Sequence, residues 1–88
     1  MAWTIDYADS ALKDLRKLDR KQAKRILDYM DTRIAVLDNP RDRGKALTGP
    51  LGALWRFRVG KYRVICDIQD AALTILVIKA SKREDAYH

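Results

Sequence analysis

The residue pattern predicts an α+β fold in one small domain: a strand, two helices packed as a hairpin, then a three-strand antiparallel meander whose one face the helices cover. Three observations predict it. Two stretches near the N-terminus carry apolar residues at helical spacing. One segment after residue 53 alternates strictly between apolar and basic residues. A Gly-Lys pair then divides it from a second apolar run, as in a tight hairpin.

The elements follow in order. Trp3 to Tyr7 alternates and reads as a short strand. Ala8, Ala11, Leu12, Leu15 and Leu18 then mark an amphipathic helix over about residues 8–18. Asp19 suits an N-cap, and Gln22 stands three residues later, at the capping-box position. The second helix is expected from Arg20 to Asp38, with Ala23, Ile26, Leu27, Met30, Ile34 and Leu37 as its apolar stripe, ending at Asn39-Pro40. Residues 39–53 hold three of the four glycines and both prolines, and so read as a loop. In Leu54 to Val59, Trp55, Phe57 and Val59 face one way, and Arg56 and Arg58 the other. Gly60-Lys61 turns the chain into Tyr62 to Ile68. Leu73 to Lys79 is apolar on both faces, which suits a central strand. Ser81 to His88 is expected to be a polar tail. On this reading Arg56, Arg58 and Arg63 lie exposed on the sheet face away from the helices.

A chain of 88 residues is one domain, taken as 1–88, and too small for a deep enclosed cavity. Its longest apolar run, Leu73 to Ile78, falls far short of the ~20 residues of a membrane span. No secretory signal stands at the N-terminus, and the single cysteine, Cys66, fits a reducing cytoplasm. One cysteine and one histidine, His88, do not make the usual zinc sites, so no metal or other cofactor is expected.

The formal net charge is +6, and its placement is informative: residues 1–40 sum to +1, residues 41–63 to +6 and residues 64–88 to −1. A basic excess confined to one stretch attracts phosphate-bearing or strongly acidic partners. It contains Lys45, Arg56, Arg58, Lys61 and Arg63. Arg56 and Arg58 project from one face of a strand, and the facing strand brings Tyr62-Arg63 rather than a carboxylate. Such a cluster suits phosphate contact. The plainer alternative is charge that guards a strand edge against pairing. Cys66, Trp3 and Trp55 read as core residues, and His88 as a terminus without a role. No Gly-rich phosphate loop, Ser/His/Asp set or metal motif occurs.

Four segments together resemble the RelE toxins of the RelE/ParE toxin–antitoxin superfamily: ALKDLRKL (Ala11 to Leu18), NPRDRGKALTG (Asn39 to Gly49), LWRFRVGKYRVICDI (Leu54 to Ile68) and KREDAY (Lys82 to Tyr87). The resemblance implies a RelE-like fold and a metal-independent endoribonuclease that cleaves messenger RNA at the ribosomal A site and so inhibits translation. It implies catalytic roles for Arg63, Lys82, Arg83 and Tyr87, and RNA contact by Arg56 and Arg58, to which the basic stretch adds Lys45 and Lys61. The implied partners are a RelB-like antitoxin, the ribosome and its message, with operator DNA reached through the antitoxin. The rival implied by the same superfamily is a ParE-like inhibitor of DNA gyrase that cleaves nothing.

Overall fold

In a computed structural model, residues 2–47 and 54–82 are described below. Strand β1 (Thr4–Tyr7) leads into helix α1 (Asp9–Lys17) and helix α2 (Arg20–Tyr29). Asp19 caps α2 as its sequence position requires, accepting a 2.8 Å bond from the Gln22 N–H. A two-residue strand β2 (Lys45–Ala46) follows, then β3 (Leu54–Val59), β4 (Tyr62–Gln69) and β5 (Thr74–Lys82). The sheet order is β1-β5-β4-β3-β2. The meander β3-β4-β5 is antiparallel as expected, whereas β1 runs parallel to β5. This makes β5 a central strand, in keeping with its two apolar faces.

One face of the sheet packs on the helices, α1 chiefly on β5 and α2 chiefly on β3. Phe57, Val59, Tyr62, Val64, Cys66, Ile75 and Val77 meet Ala11, Leu15, Ile26, Met30 and Ile34 there. Trp3 joins this core, and Trp55 packs half-buried at its margin. The β3–β4 hairpin needs its glycine: Gly60 has φ +60, and a Cβ there would fall 2.9 Å from the Arg25 guanidinium. At Gly44 a Cβ would fall 2.9 Å from the Phe57 ring, so this glycine lets the chain pass close over the core.

The β4–β5 ladder skips Ile78: Ile65 pairs with Lys79, but Cys66 pairs with Val77. A bulge takes backbone groups out of the ladder, and they must bond elsewhere. Helix α1 supplies partners. The Ser10 hydroxyl donates to the Ile78 carbonyl at 2.6 Å, and the Ala80 N–H donates to Asp14 Oδ2 at 3.0 Å.

Four sequence expectations are corrected. Helix α2 does not run to Asp38: it passes into a π turn over Met30–Ile34. There the Ala35 N–H bonds to the Met30 carbonyl five residues back, Met30 and Ile34 are both fully buried, and the Ala35 carbonyl accepts the Trp3 N–H at 2.8 Å. The 39–53 loop contains a 3-10 turn at Pro40–Asp42 and strand β2, because main-chain pairing of Ala46 with Trp55 outweighs the Gly and Pro content around it. Ser81 and Lys82 belong to β5 rather than to a tail, since they pair with Arg63 and Tyr62. Arg63 is not exposed: it retains only 4% of its surface, because it sits on a central strand with Arg58 on one side and Ser81 on the other.

Candidate functional site

Strand alternation places the basic residues. Phe57 and Val59 turn toward the helices, so Arg56 and Arg58 take the opposite face. On β4 the residue paired with Arg58 is Arg63, and on β2 the residue paired with Arg56 is Lys45. Directly opposite residues stand about 4.5–5.5 Å apart at Cβ, close enough for like charges to oppose folding. The sheet thus gathers four basic side chains, Lys45, Arg56, Arg58 and Arg63, across three neighbouring strands.

An open cleft of about 220 Å³ runs along this edge of the sheet, lined by Tyr29, Arg43, Lys45, Arg56 and Arg58. Among the described residues no carboxylate lines it. The structure therefore brings three sequence-predicted residues, Lys45, Arg56 and Arg58, into one site, with Arg63 beside Arg58. Lys61 is apart from them in the exposed hairpin turn. Lys82 stands opposite Tyr62, hence on the helix side of the sheet, where it lines a different cleft with Asp14, Lys17 and Leu18. Arg83 and Tyr87, and with them His88, lie outside the described residues.

Two residues of the cleft escaped the sequence reading. Arg43 lies in the basic stretch, but nothing in its spacing separated it from Arg41. The two behave differently: Arg41 turns away to bind Asp70 through two hydrogen bonds and lies 5.7 Å from the centre of the Trp55 ring, leaving Arg43 to the cleft. That hydrogen-bonded pair holds the Asp70 carboxyl below the usual carboxylate range. Tyr29 carried no signal beyond its place on a helix.

Two groups elsewhere depart from their ordinary values. Burial pushes the Cys66 thiol far above its ordinary value, which keeps it neutral in the core. Burial also raises the Tyr7 phenol, with Asp31 adding to the effect. No helix among the described residues is long and apolar enough to cross a membrane. Chemically, the cleft offers fixed cations and one aromatic ring, a combination that binds a phosphodiester and a flat base together.

The sequence matches the family model for the ParE toxin of type II toxin–antitoxin systems, parDE, over residues 5–87. It is 33% identical over 88 residues to the mRNA interferase toxin RelE of Escherichia coli, covering 96% of this chain and 86% of that protein. It is 25% identical over 87 residues to Toxin RelG of Mycobacterium tuberculosis, covering 99% of this chain and 98% of that one. Its fold is similar to that in the toxin–antitoxin complex RelBE2 of M. tuberculosis, with TM-score 0.86, 23% identity and coverage of 94% and 93%. It is likewise similar to the archaeal RelE–RelB complex of Pyrococcus horikoshii, with TM-score 0.70, 26% identity and coverage of 94% and 97%. A match along nearly the whole chain, joined to the shared fold, means that this protein belongs to the RelE family of toxins from type II toxin–antitoxin systems.

Proposed function

We propose that this toxin is an endoribonuclease that cleaves messenger RNA in the ribosomal A site, without a metal. The observation that carries the reading is the pairing of Arg58 with Arg63 beside a cleft of further cations, Arg43, Lys45 and Arg56. The relative at 33% identity, named an mRNA interferase, supports it.

In the proposed step the RNA 2′-oxygen attacks the adjacent phosphorus. The 2′-O–P bond forms, the P–O5′ bond breaks, and the products are a 2′,3′-cyclic phosphate and a 5′-hydroxyl. One proton leaves the 2′-hydroxyl and another reaches the departing 5′-oxygen. Arg56 and Arg58 stabilise the charge that builds on the phosphorane oxygens, which is larger in the transition state than in the ground state, and Arg63, buried beside Arg58, adds to the positive field there. We assign Arg83 to the phosphate and the leaving oxygen. Lys82, on the helix side of the sheet, is the less suited of the two proton carriers, so Tyr87, in its phenolate form, takes the 2′-hydroxyl proton, and the departing 5′-oxygen takes its proton from water. A modest acid–base set suits an enzyme whose substrate is oriented by the ribosome. A RelB-like antitoxin of acidic or amphipathic character would restrain the toxin in the cell, a reading supported by the similar M. tuberculosis and P. horikoshii structures, which are toxin–antitoxin complexes.

The matched family model describes a ParE toxin, which keeps gyrase inhibition as the second reading. Purified toxin added to ribosomes programmed with a defined message separates the two. New 5′ ends inside the A-site codon are expected. An intact message alongside blocked supercoiling by gyrase would replace this reading with the second.

A further inference from the structure

Tyr29 lines two clefts, not one. On one side lies the site of Arg43, Lys45, Arg56 and Arg58. On the other lies a groove along α2, lined by Lys21, Lys24, Arg25, Asp28, Thr32 and Arg33 as well as Tyr29. Lys21, Arg25, Tyr29 and Arg33 recur every four residues, so they share one helix face. At about 1.5 Å per residue Lys21 to Tyr29 span roughly 12 Å, and Arg33 stands one π turn further on, enough for several nucleotides. Lys24 is paired with Asp28 at 3.1 Å, as on an ordinary solvated helix. Among the described residues no carboxylate pairs with Lys21, Arg25 or Arg33. The Arg25 guanidinium lies beside Gly60 of the β3–β4 hairpin turn. The helix changes from α to π geometry immediately after Tyr29, a change that recurs at functional sites.

We propose that the two clefts form one continuous track for single-stranded RNA, with the Tyr29 ring as the base-stacking platform where they join. The inference rests on the ribonuclease reading and extends it: the sheet cleft holds the phosphates near the scissile bond, and the α2 groove holds neighbouring nucleotides. Cations that follow a backbone, interrupted by an aromatic ring, are the pattern by which single strands are bound without sequence readout.

The test uses fluorescent 2′-O-methyl oligonucleotides, which lack the attacking hydroxyl, at about 4 and about 12 nucleotides, both within the span of known single-strand site sizes. The longer probe is expected to bind about tenfold more tightly at equal salt, with a steeper salt dependence. Lys21→Glu with Arg33→Glu, both exposed positions, should abolish that advantage and leave binding of the short probe unchanged. Tyr29→Leu, which keeps apolar bulk, should weaken both probes by about 5- to 150-fold, the range of one stacked base, and Tyr29→Phe should restore them. Equal affinity for the two lengths, or an advantage untouched by charge reversal, overturns the track. So does failure of either RNA to bind while an acidic peptide binds the α2 groove, which would make it a protein-docking surface. Cleavage of a message on programmed ribosomes is measured in parallel. Wild-type cleavage without length-dependent binding removes the track alone, whereas no cleavage removes the ribonuclease reading beneath it.

Discussion

Arg41 grips Asp70 with both terminal nitrogens, at 2.9 and 2.7 Å, and so ties the turn before β2 to the turn after β4. The hydrogen bonds from Arg41 hold the Asp70 carboxyl lower in the fold than it would be in the unfolded chain. A carboxyl lowered on folding stabilises the protein above its unfolded value, and the contribution is lost as pH falls through the folded value. The pair is well exposed, so the effect is small and salt-sensitive. Wild type should therefore melt slightly above Asp70→Asn at neutral pH, and the gap should close as the medium is made acid enough to protonate the Asp70 carboxyl in the fold. Thermal melting across that range checks the sign; a gap that widens in acid would contradict it.

At the hairpin, Gly60→Ala forces a Cβ into left-handed backbone beside Arg25. The guanidinium can swing aside, but the backbone cannot. The expected loss is about 1–2 kcal/mol. For a domain of this size that lowers the melting point by about 4–8 °C per kcal/mol. Calorimetry of the pair of proteins measures it.

Cys66 should behave as a probe of global unfolding. Its thiol is fully buried and held neutral, so a thiol reagent at pH 8 should leave the native protein unlabelled for hours and label it at once in denaturant. Rapid native labelling would mean that β4 opens far more readily than its central position implies.

Arg58 is exposed, so Arg58→Ala should preserve the melting point while reducing single-turnover cleavage on programmed ribosomes by about 10²–10³, the usual cost of one transition-state donor. Arg83→Ala should likewise end growth arrest on induction without unfolding the chain. A folded, fully toxic Arg83→Ala protein would falsify its assignment to the reaction.

Local pattern carried the elements and the meander, because cap, alternation and turn chemistry each act over a few residues: Asp19, Arg56 with Arg58, and Gly60. Features set by distant partners were not legible. Strand β2 exists through its pairing with β3, and the burial of Arg63 through flanking by Arg58 and Ser81. The basic face of α2 was hidden for another reason. Residues 1–40 sum to only +1, because seven aspartates offset eight cations. A sum along the chain cannot show that Lys21, Arg25 and Arg33 stand on one face.

Strand β1 has a kinetic consequence. It is an edge strand, and its neighbour is β5, the last strand of the described chain, with Thr4 beside Thr74 and Tyr7 beside Val77. Pairings between distant segments form slowly, because the loop must close before the contact rewards it. During synthesis the helices and the β3–β4 hairpin can form early, but β1 waits for β5, and the bulge that α1 secures waits with it. A chain interrupted before residue 74 lacks the strand that joins β1 to the rest of the sheet. Partial products of this toxin are therefore expected to be unfolded and harmless, and a weakening such as Ile75→Val should fall mainly on the unfolding rate.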